Sequence, residues 1–117
     1  MILADTSVWV DHLRHGNREL VGHLDAGEVA CHPFVIGELA CGRLNHRAEL
    51  FELLNRLPSL PTASHDEAMT FVEARRLDGR GLGWVDVHLL ASAVLSGARL
   101  WTLDRRLADA ASATGIR

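Results

Sequence analysis

The chain has 117 residues, 48% of them apolar, with 15 acids against 12 basic residues and a formal charge of −3. All 12 basic positions are arginine, so any mechanism that needs a lysine amine is excluded. This length predicts one domain, residues 1–117, whose core needs neither a disulfide nor a structural metal. No basic stretch followed by an apolar segment opens the chain, and no apolar run approaches the roughly 20 residues of a membrane-spanning helix. A cytoplasmic protein with no membrane attachment is expected. Cys31 and Cys41 lack the spacing of a zinc or redox pair and are expected to be buried thiols.

Ile2-Leu3-Ala4 reads as a buried strand that ends in Asp5, and Ser7 can cap a helix running to the break at His15-Gly16-Asn17. A short helix is expected over Arg18–Asp25, ended by Gly27, and then a strand over Val29-Ala30-Cys31. Pro33 suits the first turn of the next helix, which carries Glu38. Leu50, Leu53, Leu54 and Leu57 recur at helical spacing and predict a helix over Arg47–Arg56. Leu57-Pro58-Ser59-Leu60-Pro61 is a stiff connector. Ser64 and Glu67 match a capping box, and the helix they start should reach about Leu77. Asp78 to Gly83 is glycine-rich and flexible. The pattern is helical again from Trp84 to Ser96, stopped by Gly97. Arg99 to Leu103 is the second clear strand, followed by Asp104 and a last helix from Arg105 to Ala113. Short strands alternating with helices indicate an α/β layer fold with a mainly parallel sheet.

Asp5 and Asp104 each follow an apolar strand, so neighbouring strands would place both at the carboxyl edge, where open parallel sheets bind ligands. Glu38 stands inside an apolar helical run, where an unpaired carboxylate would cost several kcal/mol. Asp86 lies in the first turn of its helix, favoured there by the dipole. Taken singly, Asp86 and Asp104 read as readily as helix-start acids, whereas for Asp5 a cap, and for Glu38 an arginine partner, is the lesser reading. Four such acids on one edge point instead to a metal site. Carboxylates without matching histidines or thiols suit Mg²⁺ or Mn²⁺, which fits phosphodiester hydrolysis. Setting these four apart leaves 11 acids facing 12 arginines, a balance that neither favours nor excludes RNA.

Thr102 would share a strand face with Asp104 if extension continued, and Thr6, Ser7 and Thr102 divide between structural roles and orienting water or the metal shell. Arg43, Arg105 and Arg106 stand near the acids in sequence and can contact RNA phosphates, with a solvated face as the alternative. Arg14, Arg75, Arg76 and Arg80 are weaker candidates. His88 is turned away from Asp86 by its spacing. His12 and His15 lack a third ligand and are expected at the surface. Trp9, Trp84 and Trp101 adjoin these segments and are expected in the core, although an exposed indole could stack a base.

Leu3-Ala4-Asp5-Thr6-Ser7-Val8-Trp9, Ile36-Gly37-Glu38-Leu39 with Gly42, Trp84-Val85-Asp86 with Leu90-Ala91-Ser92-Ala93, and Leu100-Trp101-Thr102-Leu103-Asp104 resemble, in order and spacing, the signatures of PIN-domain proteins, and among them the VapC toxins. The resemblance implies a PIN-like three-layer fold: a central, mainly parallel sheet of four to five short strands with helices on both faces. It implies a Mg²⁺- or Mn²⁺-dependent endoribonuclease using Asp5, Glu38, Asp86 and Asp104, with Asp5 and Asp86 at the positions most often assigned as metal ligands. It also implies a homodimer and a VapB-type antitoxin that blocks the site. Relatives continue through a final strand, whereas this sequence stops at Gly115-Ile116-Arg117, so that strand is expected to be very short or missing. Phosphoacceptor domains also place aspartates at strand ends, but they need a lysine. A catalytically silent PIN-like interaction module is the remaining rival, and retention of all four acids counts against it.

Overall fold

A computed structural model describes residues 1–117. The elements run β1 (Ile2–Ala4), α1 (Thr6–His15), α2 (Arg18–Asp25), β2 (Val29–Ala30), α3 (Pro33–Ala40), α4 (Arg47–Arg56), α5 (His65–Arg75), α6 (Trp84–Ser96), β3 (Arg99–Trp101) and α7 (Arg105–Ala113). The sheet has three parallel strands in the order β2-β1-β3, with Leu3 beside Ala30 and Leu100, and Ala4 beside Trp101. The first strand therefore lies in the middle, and the chain passes to one flank before crossing to the other.

Three strands replace the expected four to five, because the flanks are finished by isolated hydrogen bonds. Beyond β2, Cys31 pairs with Ser59, so the stiff connector reaches the sheet for one bridge only. Beyond β3, the Leu100 N–H donates to the Ile116 carbonyl at 2.7 Å, so the final strand is reduced to a single contact. Both faces of β1 are covered: Leu3, on one side, and Ile2 and Ala4, on the other, are all buried. That explains a strand with no polar alternation.

The helix boundaries follow local chemistry. Asn17 caps α2, and the Ser64–Glu67 capping box opens α5 as expected. Proline stands at the start of α3. Gly97, in the left-handed region at φ +66°, closes α6. α5 stops at Arg75, two residues short of Leu77, which instead packs into the core. That core joins Leu3, Val8, Trp9, Leu20, Leu39, Leu54, Leu89, Leu90, Leu100 and Leu107, contributed by strands and by six of the seven helices. Each fully buried leucine contributes about 1.5–3 kcal/mol. Trp9 is wholly buried, but Trp84 is 41% exposed and Trp101 half-buried, so only one of the three tryptophans is a core residue in full. Cys31 is buried as expected, whereas Cys41, at the end of α3, is exposed.

Candidate active site

The carboxyl edge of β1 is organised by Asp5, which is 6% exposed. It, and not Ser7, caps α1: Oδ1 accepts from the backbone N–H of Ser7 at 3.0 Å and of Val8 at 3.4 Å. The freed Ser7 hydroxyl donates to the same Oδ1 and accepts from the Leu103 N–H at 2.9 Å. From the neighbouring strand's end, the Thr102 hydroxyl donates to Asp5 Oδ2 at 2.6 Å and accepts from the Asp104 N–H at 3.0 Å. Each hydroxyl has one proton, and both are committed to Asp5. The 3.3 Å approach of Ser7 Oγ to Thr102 Oγ1 is therefore a contact between acceptors. Burial pushes the Asp5 carboxyl up from its ordinary range, against the opposing effect of these donors.

This arrangement corrects the expected orientation of Thr102. β3 ends at Trp101, extension does not continue, and the side chain turns onto Asp5 instead of following Asp104. Asp104 caps α7, with Oδ1 accepting from Arg106 N at 2.9 Å and Leu107 N at 3.2 Å.

Glu38 is exposed, so the expected cost of burying it does not arise; Val35 and Leu39 face inward while it faces out. Its Oε1 accepts from the Thr6 hydroxyl at 2.7 Å, which ties α3 to the start of α1. Asp86 is half-buried, and its Oδ2 accepts from the Gly83 N–H at 2.9 Å. α6 leads into β3, which runs parallel to β1, so its N-terminus and Asp86 lie toward the carboxyl edge. Glu38 and Val85, the neighbour of Asp86, line one shallow cleft between α3 and α6. Asp5, Glu38 and Asp104 are thus linked through Thr6, Ser7 and Thr102, while Asp86 is brought near by element placement alone.

No three histidine, cysteine or acidic side chains stand close enough together to hold an ion as they are. The donor set nevertheless suits a hard cation. All four acids offer oxygen, and none is ion-paired: the three charge pairs of the molecule are His23–Glu19, His23–Glu28 and Arg56–Glu52. Glu38 Oε2, Asp86 Oδ1 and Asp104 Oδ2 have no protein donor. Glu38 therefore has no arginine partner, the alternative open to it in sequence.

The arginines divide. A groove of about 500 Å³ beside α1 is lined by Thr6, Ser7, Asp11, Asp104, Arg14 and His15, so Arg14, a weaker candidate by sequence, shares a groove with Asp104. The signal was present, since Ser7 and Arg14 are seven residues apart, two helical turns on one face. Arg43 lines the adjoining cleft with Arg14 and Leu13. Arg105 and Arg106 are exposed, and the Arg106 side chain covers Gly81, where a Cβ would meet it at 3.0 Å at a φ of +74°. His12 is half-buried, its Nδ1 accepting from Asn17 N–H, and His15 is exposed.

Sequence reasoning passed over His32. Fully buried, it caps α3 through Nδ1, which accepts from Phe34 N–H at 3.0 Å; the proton is therefore on Nε2, 3.0 Å from Ser92 Oγ. Burial, with His88 adding repulsion, lowers its pKa to about 4. His88 is itself buried between Phe34 and Trp84, with ring centroids 4.8 and 4.9 Å away.

The PIN domain family model matches residues 2–113. Ribonuclease VapC32 of Mycobacterium tuberculosis, in strains CDC 1551 / Oshkosh and H37Rv alike, is 50% identical over 117 residues, covering 99% of this chain and 94% of that protein. Among solved structures, FitAcB from Neisseria gonorrhoeae superposes with a TM-score of 0.67 at 22% identity, over 96% of this chain and 94% of that one. PAE2754 from Pyrobaculum aerophilum does so with a TM-score of 0.62 at 23% identity, over 93% of this chain and 84% of that one. These two agree with the parallel α/β fold, and the family match spans all four acidic segments. The chain belongs to the PIN domain family.

Proposed function

We infer that this protein is a ribonuclease of the VapC type, and that Asp5, Glu38, Asp86 and Asp104 form its metal-dependent active site. What supports this reading of the site is that Asp5, Glu38 and Asp104 are tied together through Thr6, Ser7 and Thr102, and that no cationic side chain pairs with any of the four acids. The ribonuclease activity itself follows from half identity to VapC32 along the whole chain.

A bound Mg²⁺ or Mn²⁺ would supply a water of lowered pKa and stabilise charge growing on the phosphodiester. The protein's own part is positioning. Ser7 and Thr102 hold Asp5 by both oxygens, so the carboxylate enters the reaction already oriented. Thr6 fixes one oxygen of Glu38 and leaves the other without a protein donor. Gly83 and the first turn of α7 do the same for Asp86 and Asp104. Arg14, Arg43, Arg105 and Arg106 are the cations available to the RNA backbone near this edge.

A VapB-type antitoxin and a homodimer belong to the same reading, supported by the likeness to VapC32. No helix is long and apolar enough to cross a membrane. A cytoplasmic location suits an RNA substrate and two unpaired cysteines. We read residues 1–117 as one domain.

The test is cleavage of RNA by purified protein with Mg²⁺ or Mn²⁺, abolished by EDTA and lost in Asp5→Ala and Asp86→Ala while circular dichroism stays native. Activity that survives those substitutions overturns the site. In cells, the wild-type protein arrests bacterial growth and Asp5→Asn does not; equal growth overturns the toxin reading.

A further inference from the structure

The site described lies at the ends of the strands, but the cleft of about 300 Å³ beside β3 begins at the same place and runs along the strand, and nothing above uses it. It contains Thr102, which holds Asp5, then Trp101, then Arg99, with His23, Glu19 and Arg117 on its other walls. Ala4 and Ile2 are the β1 partners of Trp101 and Arg99, so these two alternate side chains project from one sheet face, on the side of α2.

Its lining combines an aromatic wall with arginines. The Trp101 indole is half-buried, and the His23 ring meets it edge-on, 5.9 Å away at 74°. His23 is fixed there by Glu28, at 2.6 Å, with Glu19 at 3.9 Å on its other nitrogen. The cleft's carboxylate is thereby turned to the histidine. Arg99 and Arg117 are ion-paired with no carboxylate, and Arg117 makes only a 3.4 Å contact to Ser112. An indole wall with two free guanidinium groups is the pairing that takes a base and its phosphate from a single strand. Trp101 directly precedes Thr102, so the indole adjoins the residue that holds Asp5.

We propose that this cleft is a nucleotide subsite of the ribonuclease, in which Trp101 stacks a base next to the scissile phosphate while Arg99 and Arg117 bind the RNA backbone. The proposal rests on the ribonuclease reading for its substrate class, but the binding it describes requires no cleavage.

The test is therefore made in EDTA, with a short oligouridylate as probe and tryptophan fluorescence as readout. A Trp84→Phe protein is used: Trp9 is fully buried, so quenching there reports on Trp101. Oligouridylate is expected to quench this protein and to lose that effect when Trp101→Phe is added. Arg99→Ala and Arg117→Ala, both at the surface, should each weaken binding roughly tenfold and together reduce its salt dependence by about 1.4 in log–log slope. With metal present, each should raise KM and leave kcat in place, as loss of uniform binding does. Quenching that persists in Trp101→Phe, or arginine variants that bind like the parent, overturn the subsite. Arginine variants that keep RNA binding but no longer copurify with the antitoxin would make the cleft a protein-docking surface, and overturn it equally. Quenching without any cleavage by wild-type protein would refute the nuclease, and with it the neighbouring scissile phosphate, while the binding of base and backbone in this cleft would stand.

Discussion

Thr102 and Asp5, 97 positions apart, are joined by a hydrogen bond of 2.6 Å from the threonine hydroxyl to Oδ2. The bond crosses from the end of β3 to the end of β1 and is possible only because those strands are parallel neighbours. It makes Thr102 a positioning residue for the carboxylate around which the edge is built.

Thr102→Val keeps the shape and removes the donor. A buried carboxylate oxygen then loses its partner, which costs about 1–3 kcal/mol and is read as a lower urea midpoint. Because that donor favoured the charged form of Asp5, its loss raises the carboxyl further, and the acidic limb of the pH–rate profile moves to higher pH. An unmoved limb would mean that Thr102 serves only the fold.

Asp104 caps α7 and is proposed as a metal ligand, two roles that substitution separates. Asp104→Asn retains an oxygen for the Arg106 and Leu107 N–H groups, and stability should stay within about 0.5 kcal/mol, whereas Asp104→Ala loses the α7 cap and about 1 kcal/mol. RNA cleavage should fall in both. An Asn variant of full activity would reduce Asp104 to a cap.

Glu38→Gln removes a charge that is exposed and unpaired, so thermal stability should change by less than about 0.5 kcal/mol. Cleavage should nevertheless fall by at least tenfold, the signature of a functional and not a structural carboxylate. Full activity would remove Glu38 from the site.

Mg²⁺ or Mn²⁺ should raise the melting temperature of the wild-type protein, by an amount equivalent to about 2.7 kcal/mol at roughly a hundred times Kd. Differential scanning fluorimetry of Asp5→Asn should show little of that rise. Equal rises in both proteins would place cation binding elsewhere.

His32 makes the fold sensitive to acid. Unfolded, it takes a proton near 6.5, but in the folded protein burial delays this to about 4. Between those values the unfolded chain binds the extra proton, so the contribution is intact above pH 6.5 and is lost as pH falls toward 4, roughly 3 kcal/mol in all. Urea unfolding across this range should show a shallower pH dependence in His32→Asn, which can still cap α3. The same slope in both proteins would place the acid sensitivity in other groups.

Helices α4 and α6, the α5 capping box and the strand that ends in Asp5 were legible in the residues, because each depends on neighbours within a turn or two: leucines at helical spacing, Ser64 with Glu67, a glycine after the last turn. The four acidic segments and their order were legible for the same reason. What depends on residues far apart in the chain was not. The sheet stops at three strands because its flanks receive one bridge from Ser59 and one bond from Ile116. Glu38 is exposed and Cys41 lies at the surface because of the way α3 is rolled against its neighbours, which an apolar run does not specify. Ser7 yields the cap to Asp5, and Thr102 turns toward it, because hydroxyl protons go to the strongest acceptor that folding brings within reach. Spacing along the chain names the carboxylates; only the meeting of β1 with β3 settles which groups hold them.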